Sequence, residues 1–203
     1  MSEVQSAVSR GQFIRNTAKG SLVLVGAGGM LASMDGVAFA KGATKSDITT
    51  LQVGYIAESL AVKVYETILH NFHTFKLGNR DYFQHALANE KAHREAWGKA
   101  LGARKPKGFK LHIPAAAVAN RHALLGTGVA LETAFVETYL GAVRSLRSTE
   151  LKLAAAKVAA NEATHFSFFD AAYGGHAVLP AFPGTLKVET AAATLTKDGF
   201  ISL

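Results

Sequence analysis

Four glutamates and two histidines recur along the chain in a register that suits metal binding: Glu58, then Glu90 with His93, then Glu132, then Glu162 with His165. A Glu and a His three positions apart on a helix lie about 60° apart around its axis, so both can face one interior. Two such helices supply an imidazole for each of two metal ions. The Glu beside each His can bridge or chelate, and a Glu from each remaining helix completes the set. A carboxylate in apolar surroundings needs a counter-charge. Glu58 lies in Ile56-Ala57-Glu58-Ser59-Leu60-Ala61-Val62, and Glu132 in Val129-Ala130-Leu131-Glu132-Thr133-Ala134-Phe135. Oxygen and imidazole donors suit iron, manganese or zinc. Two ions are expected, with iron favoured.

The elements that must position these residues are helices. The apolar spacing is helical from Thr50 onward. It predicts helices over about 49–75, 81–101, 115–146 and 148–173, with Asp81 and Ser148 as N-terminal signals. Leu77-Gly78-Asn79-Arg80 is a short turn, whereas Gly102 to Pro114 is long and holds two Pro and two Gly. Short first and third connections imply antiparallel pairs. The long middle one is able to cross the length of a bundle, although loop length alone leaves an up-down-up-down order open. The halves also resemble each other. Ala88-Asn89-Glu90-Lys91-Ala92-His93 matches Ala160-Asn161-Glu162-Ala163-Thr164-His165, and Glu58 and Glu132 precede these motifs by similar distances.

Neighbouring residues serve as controls. Glu95 and Glu137 stand five positions after Glu90 and Glu132, about 140° round the helix, and are expected to face solvent. Glu66, eight after Glu58, is about 80° off and ambiguous. Each of the four glutamates is followed seven positions later by an aromatic: Tyr65, Trp97, Tyr139 and Phe169. These rings are expected to form one layer about 10 Å along the bundle. Tyr65 and Tyr139 are additional candidates to hydrogen-bond a ligand Glu or relay an electron. The remaining histidines, His70, His73, His85, His112, His122 and His176, read as surface or loop residues.

Composition narrows the remaining choices. A chain of 203 residues, 49% hydrophobic and 18% charged, fits one globular domain. The absence of Cys excludes thiolate sites, iron–sulfur clusters and disulfides. The net charge of +7 comes from scattered cations with one cluster at Arg104, Lys105, Lys107 and Lys110, and no nucleic-acid motif accompanies it. No nucleic-acid partner is expected. Residues 1–40 read as an export signal: Ser9-Arg10-Gly11-Gln12-Phe13-Ile14-Arg15 is similar to the twin-arginine pattern, with Gly11 in place of the second arginine. A mildly apolar run over Ser21–Ala32 and the small-x-small site Ala38-Phe39-Ala40 follow. The run is too short for a stable span, which needs about 20 apolar residues. Cleavage after Ala40 would place the protein in the periplasm, the envelope or the medium. Residues 41–175 are then the bundle, and 176–203 an irregular tail packed on it.

Taken together, these motifs resemble the ferritin-like domain family that includes desiccation-related proteins and many exported bacterial proteins. Glu58 with Tyr65, Asn89-Glu90-Lys91-Ala92-His93, Leu131-Glu132 with Thr138-Tyr139-Leu140-Gly141-Ala142, and Asn161-Glu162-Ala163-Thr164-His165 carry the resemblance from about Leu51 onward. Pro180-Ala181-Phe182-Pro183 and Gly199-Phe200-Ile201 are similar to the family's ending. Ala61 departs from the pattern, because many members carry another Glu there. The resemblance implies an all-α ferritin-like four-helix bundle with one long crossover. The metal set would be Glu58, Glu90, His93, Glu132, Glu162 and His165. A di-iron centre reacting with a small oxidant, oxygen or peroxide, as a ferroxidase or peroxidase is the leading expectation. A di-manganese catalase-like enzyme and a non-catalytic metal-stabilised envelope or stress protein are the alternatives. A homodimer is compatible with the sequence and is not required by it.

Overall fold

The computed structural model describes residues 43–202. The expected export signal over 1–40 lies outside the described residues. Four long helices form the body: α1 (Lys45–His70), α2 (Arg80–Leu101), α3 (Arg121–Ser145) and α4 (Thr149–Tyr173). Their starts follow from local capping chemistry. Thr44 Oγ1 accepts from the Asp47 amide at 3.1 Å, and Asp47 Oδ2 accepts from the Thr44 amide at 2.9 Å. This capping box begins α1 four residues before the expected Thr49. Asn79, in the left-handed region at φ 59°, caps α2 by accepting from the Tyr82 amide, so Asp81 lies inside the helix and is not its cap. Asn120 caps α3, and the Ala115–Val118 stretch expected to open it is a separate 3₁₀ turn.

Asp47 also acts at long range. Its Oδ1 accepts from the Arg147 amide at 2.8 Å, tying the start of α1 to the α3–α4 turn. Burial alone would raise the Asp47 pKa, but hydrogen bonds from Thr44 and Arg147 outweigh it and hold the carboxyl below its usual value.

The order of the helices follows from the aromatic rings. Tyr65 lies beside Phe169, centroids 5.8 Å apart, and Trp97 is stacked on Tyr139 at 6.0 Å. Each ring is seven residues C-terminal to its glutamate. Rings that meet must therefore come from helices running the same way, so α1 is parallel to α4 and α2 to α3. Because the short turn after α1 makes α1 and α2 antiparallel, the two ring pairs stand on opposite sides of the carboxylates. The expected single aromatic layer is thus two half-layers. Parallel α2 and α3 also require residues 102–120 to run the length of the bundle, which is the long crossover.

The C-terminal tail is not irregular as expected. Val188–Lys197 forms a helix, α5, whose buried Val188, Ala191 and Leu195 share one stripe; the helix packs on α1 and α3. Ile201–Ser202 (β2) then pairs antiparallel with Lys110–Leu111 (β1) in the crossover, Leu111 opposite Ile201. Between α4 and α5 the chain lies across α3. The Leu186 amide donates to the Glu137 carbonyl at 2.9 Å. The missing Cβ of Gly141 lets the Leu186 carbonyl approach the helix. Among the described residues no helix is long and apolar enough to cross a membrane.

Candidate metal centre

All six expected ligands converge at mid-bundle. Exposure is 0% for Glu90 and Glu162, 1% for His165, 2% for Glu58, 3% for Glu132 and 5% for His93. The centre has two halves. Glu58, Glu90, His93 and Glu162 offer ligand atoms that all lie within 4.8 Å of one another, and so do Glu132, Glu162 and His165. His93 Nδ1 is 3.4 Å from Glu58, 3.6 Å from Glu90 and 3.2 Å from Glu162. His165 Nδ1 is 2.8 Å from Glu90, 3.2 Å from Glu162 and 4.0 Å from Glu132. Glu90 and Glu162 therefore reach both halves, while Glu58 and Glu132 each serve one.

Several of these atoms make no aligned hydrogen bond, close as the imidazole nitrogens lie to some of them: Glu58 Oε2, both oxygens of Glu90, His93 Nδ1, Glu132 Oε2 and Glu162 Oε1. Leaving a buried polar atom unpaired costs about 1–3 kcal/mol, more if it is charged. One cluster of such atoms is costly unless something else satisfies it. Four carboxylates and two imidazoles, five of the six carrying an orphaned atom, fit a pair of cations. The remaining oxygens are held by protein. Tyr65 Oη donates to Glu132 Oε1 at 2.8 Å. Tyr139 Oη donates to Glu58 Oε1, and itself accepts from Trp97 Nε1 at 3.1 Å.

Without metal the cluster balances its own charge. Burial pushes Glu58 and Glu132 well above the ordinary carboxylate range, reinforced by neighbouring carboxylates and opposed by His93 and His165. Burial also acts to raise Glu90 and Glu162, but the imidazoles overcome it and hold both below the ordinary value. For His93 and His165 burial acts to lower the pKa, yet the surrounding carboxylates raise it well above normal. Two imidazolium ions facing two carboxylates, with the other two acids pushed toward neutrality, is the arrangement these shifts describe.

The control residues separate as geometry demands. Glu95 is exposed and pairs with Lys99, and Glu66 is exposed and pairs with Lys91. Glu137 points away from the cluster but is half-buried instead of fully exposed, because the tail at Gly184 covers it. His70, His73, His85, His112, His122 and His176 are all exposed. His122 stacks on Tyr173, and His112 meets Ser202. Sequence reasoning missed two features. Tyr82 lies edge-on to His165, centroids 6.3 Å apart, although eight residues before Glu90 it is off the ligand face. Gly54 and Gly128 each stand four residues before a cluster Glu, Gly54 against Tyr139 and Trp97 at ordinary contact distance and Gly128 making room for the Phe169 ring. That repeat was visible in the sequence.

The ferritin-like domain model matches residues 46–175, and the chain belongs to this family. The match spans all four long helices and every residue of the centre. A search of curated proteins found no match.

Proposed function

We propose that the chain is an exported protein that binds two iron ions and uses them in redox chemistry with oxygen or peroxide. The observation that carries the metal reading is the set of orphaned buried ligand atoms on Glu58, Glu90, His93, Glu132 and Glu162. The family supports it, because ferritin-like bundles build such centres from one Glu on each of two helices and a Glu-x-x-His on each of the others. When bound, two adjacent ions supply paired one-electron redox steps and Lewis acidity.

The protein's own contributions are distinct. Glu90 and Glu162 reach both halves, and would hold the ions as a pair. Glu58 and Glu132 would each hold one. Tyr139 and Tyr65 fix one oxygen of each terminal carboxylate and leave the other oxygen for the ion, the usual way outer residues set ligand orientation. The apolar walls exclude water, which strengthens every charge interaction inside. With the ions bound, the phenolic hydrogens of Tyr65 and Tyr139 would be the protons held against the terminal carboxylates.

Export rests on the twin-arginine-like segment and the Ala38-Phe39-Ala40 site. Protein recovered from its native envelope should begin near Lys41, contain two iron atoms per chain by elemental analysis and consume peroxide. Manganese in place of iron, with oxygen evolved from peroxide, would favour the catalase-like reading. Bound metal without turnover would favour a structural role. A chain that starts at Ser2 in the cytoplasm would end the export reading, and a metal-free native protein would end the metal one.

A further inference from the structure

The two halves of the centre are related by an approximate two-fold exchange of α1 with α3 and α2 with α4. Under it Glu58 corresponds to Glu132, Glu90 to Glu162, His93 to His165 and Tyr65 to Tyr139. The correspondence fails at an aromatic group close to the ligands, where Tyr82, Phe83 and Phe168 have Ala154, Ala155 and Ala96 as their equivalents. Tyr82 stands eight residues before Glu90, and its equivalent eight residues before Glu162 is Ala154. The half-buried Tyr82 ring lies edge-on to His165 and stacks on Phe168, centroids 3.6 Å apart and 10° from parallel. Its hydroxyl is 3.5 Å from the Thr164 carbonyl, the outer limit of a hydrogen bond. A large planar ring thus sits between solvent and one imidazole, and a methyl group occupies the equivalent register on the other side. Exposure follows the same pattern, 1% for His165 against 5% for His93.

We propose that Tyr82 is a lid over the His165 half, so that the two metal positions differ in access: ions and small ligands exchange rapidly at the His93 position and slowly at the His165 position. This rests on the metal reading above. The lid is held by ring stacking and one hydrogen bond at the distance limit, and opening it requires only a side-chain rotation. A lid alters entry and exit alike, so it changes rates without changing affinity.

The chain carries its own reporter. Trp97 is the single tryptophan, one turn beyond His93 on α2, and is joined through Tyr139 to Glu58. A quenching ion at the His93 position therefore affects its fluorescence most. The test loads the full chain with cobalt(II), adds excess EDTA, and follows visible absorbance for both positions and Trp97 fluorescence for the near one. Wild type should release cobalt in two phases, the faster one carrying most of the fluorescence recovery. Tyr82→Ala should accelerate the slower phase at least tenfold and leave the faster phase and both affinities unchanged. Tyr82→Phe should match wild type, since the ring does the covering, and Tyr82→Trp, followed by absorbance alone because it adds a second indole, should slow the second phase. Should Tyr82→Ala fail to fold, Tyr82→Leu takes its place with the same expectation. Two bound cobalt ions released in one phase would overturn the lid while leaving the metal centre intact. So would a slow phase indifferent to Tyr82→Ala, or a fast phase silent in Trp97 fluorescence. Failure of wild type to bind cobalt would overturn both.

Discussion

Tyr65 on α1 donates its phenolic hydrogen to Glu132 Oε1 on α3, at 2.8 Å. Tyr139 on α3 returns the bond to Glu58 on α1. Glu58 and Glu132 are therefore each oriented by a tyrosine of the helix that carries the other. Removing the hydroxyl leaves a buried carboxylate oxygen unpaired and lets the ligand rotate. Tyr65→Phe is expected to weaken metal binding at the Glu132 position by about 10–100-fold, the usual cost of losing such a partner. Tyr139→Phe should cost more, because it also strands the Trp97 indole N–H, which donates to that hydroxyl. Competition titrations with a metal indicator measure both. Equal, unchanged affinities in the two variants would show that the phenols do not orient the ligands.

The metal-free protein should lose stability as pH rises. Glu58 and Glu132 have folded-state pKa values above their ordinary 4.5, so their contribution is full below 4.5 and declines as pH climbs through the raised values. His93 and His165 are likewise raised, from 6.5, and add to the decline above that point. Glu90 and Glu162 are lowered, so their contribution is present above 4.5 and fades as pH falls through their folded values. The stability of the chelated protein should therefore peak near pH 4–5 and fall toward pH 8. Metal binding displaces the protons that Glu58, Glu132 and the imidazoles hold, so affinity rises with pH and the loaded protein resists the alkaline decline. Thermal melts at pH 5 and pH 8, with and without chelator, provide the check. A chelated protein that melts higher at pH 8 than at pH 5 would contradict the charge arrangement.

The buried cluster of four glutamates and two histidines was legible because it repeats. One Glu-x-x-His carries little information, but two on separate helices, each preceded by a helix with a buried-looking Glu, admit few other geometries. The direction of α3 relative to α2 was not legible from loop length. It emerges from which rings meet, a tertiary fact that the spacing of Tyr65, Trp97, Tyr139 and Phe169 left open. The α5 helix was in fact encoded: Val188, Ala191 and Leu195 fall at helical intervals. The prolines and glycine just before it, Pro180, Pro183 and Gly184, obscured so short a pattern. Tyr82 could not be read at all, because its role depends on the neighbouring helix and not on its own ligand face. Glu137 shows the converse: its helical phase was right, and its cover comes from a tail segment with no periodic signal.

Gly128 marks the tightest joint between the centre and its frame. A Cβ at this position would overlap the Phe169 ring, which in turn packs against Tyr65. A Cβ at the equivalent Gly54 would meet Tyr139 Oη at 3.5 Å and Trp97 Nε1 at 3.6 Å, ordinary contact distances. The same substitution should therefore have opposite effects in the two halves. Gly54→Ala is expected to be neutral or to stabilise by up to about 1 kcal/mol through helix propensity. Gly128→Ala should destabilise by about 1–3 kcal/mol through overpacking. By displacing Phe169 and then Tyr65, Gly128→Ala should also weaken metal binding on the Glu132 side. Shrinking the ring provides the control. In a Gly128→Ala/Phe169→Leu double variant the overlap disappears, so its cost should fall below the sum of the single costs. Urea denaturation of the single and double variants measures this coupling. Strict additivity, or a Gly128→Ala variant as stable as Gly54→Ala, would show that α3 and α4 can part without cost at this joint.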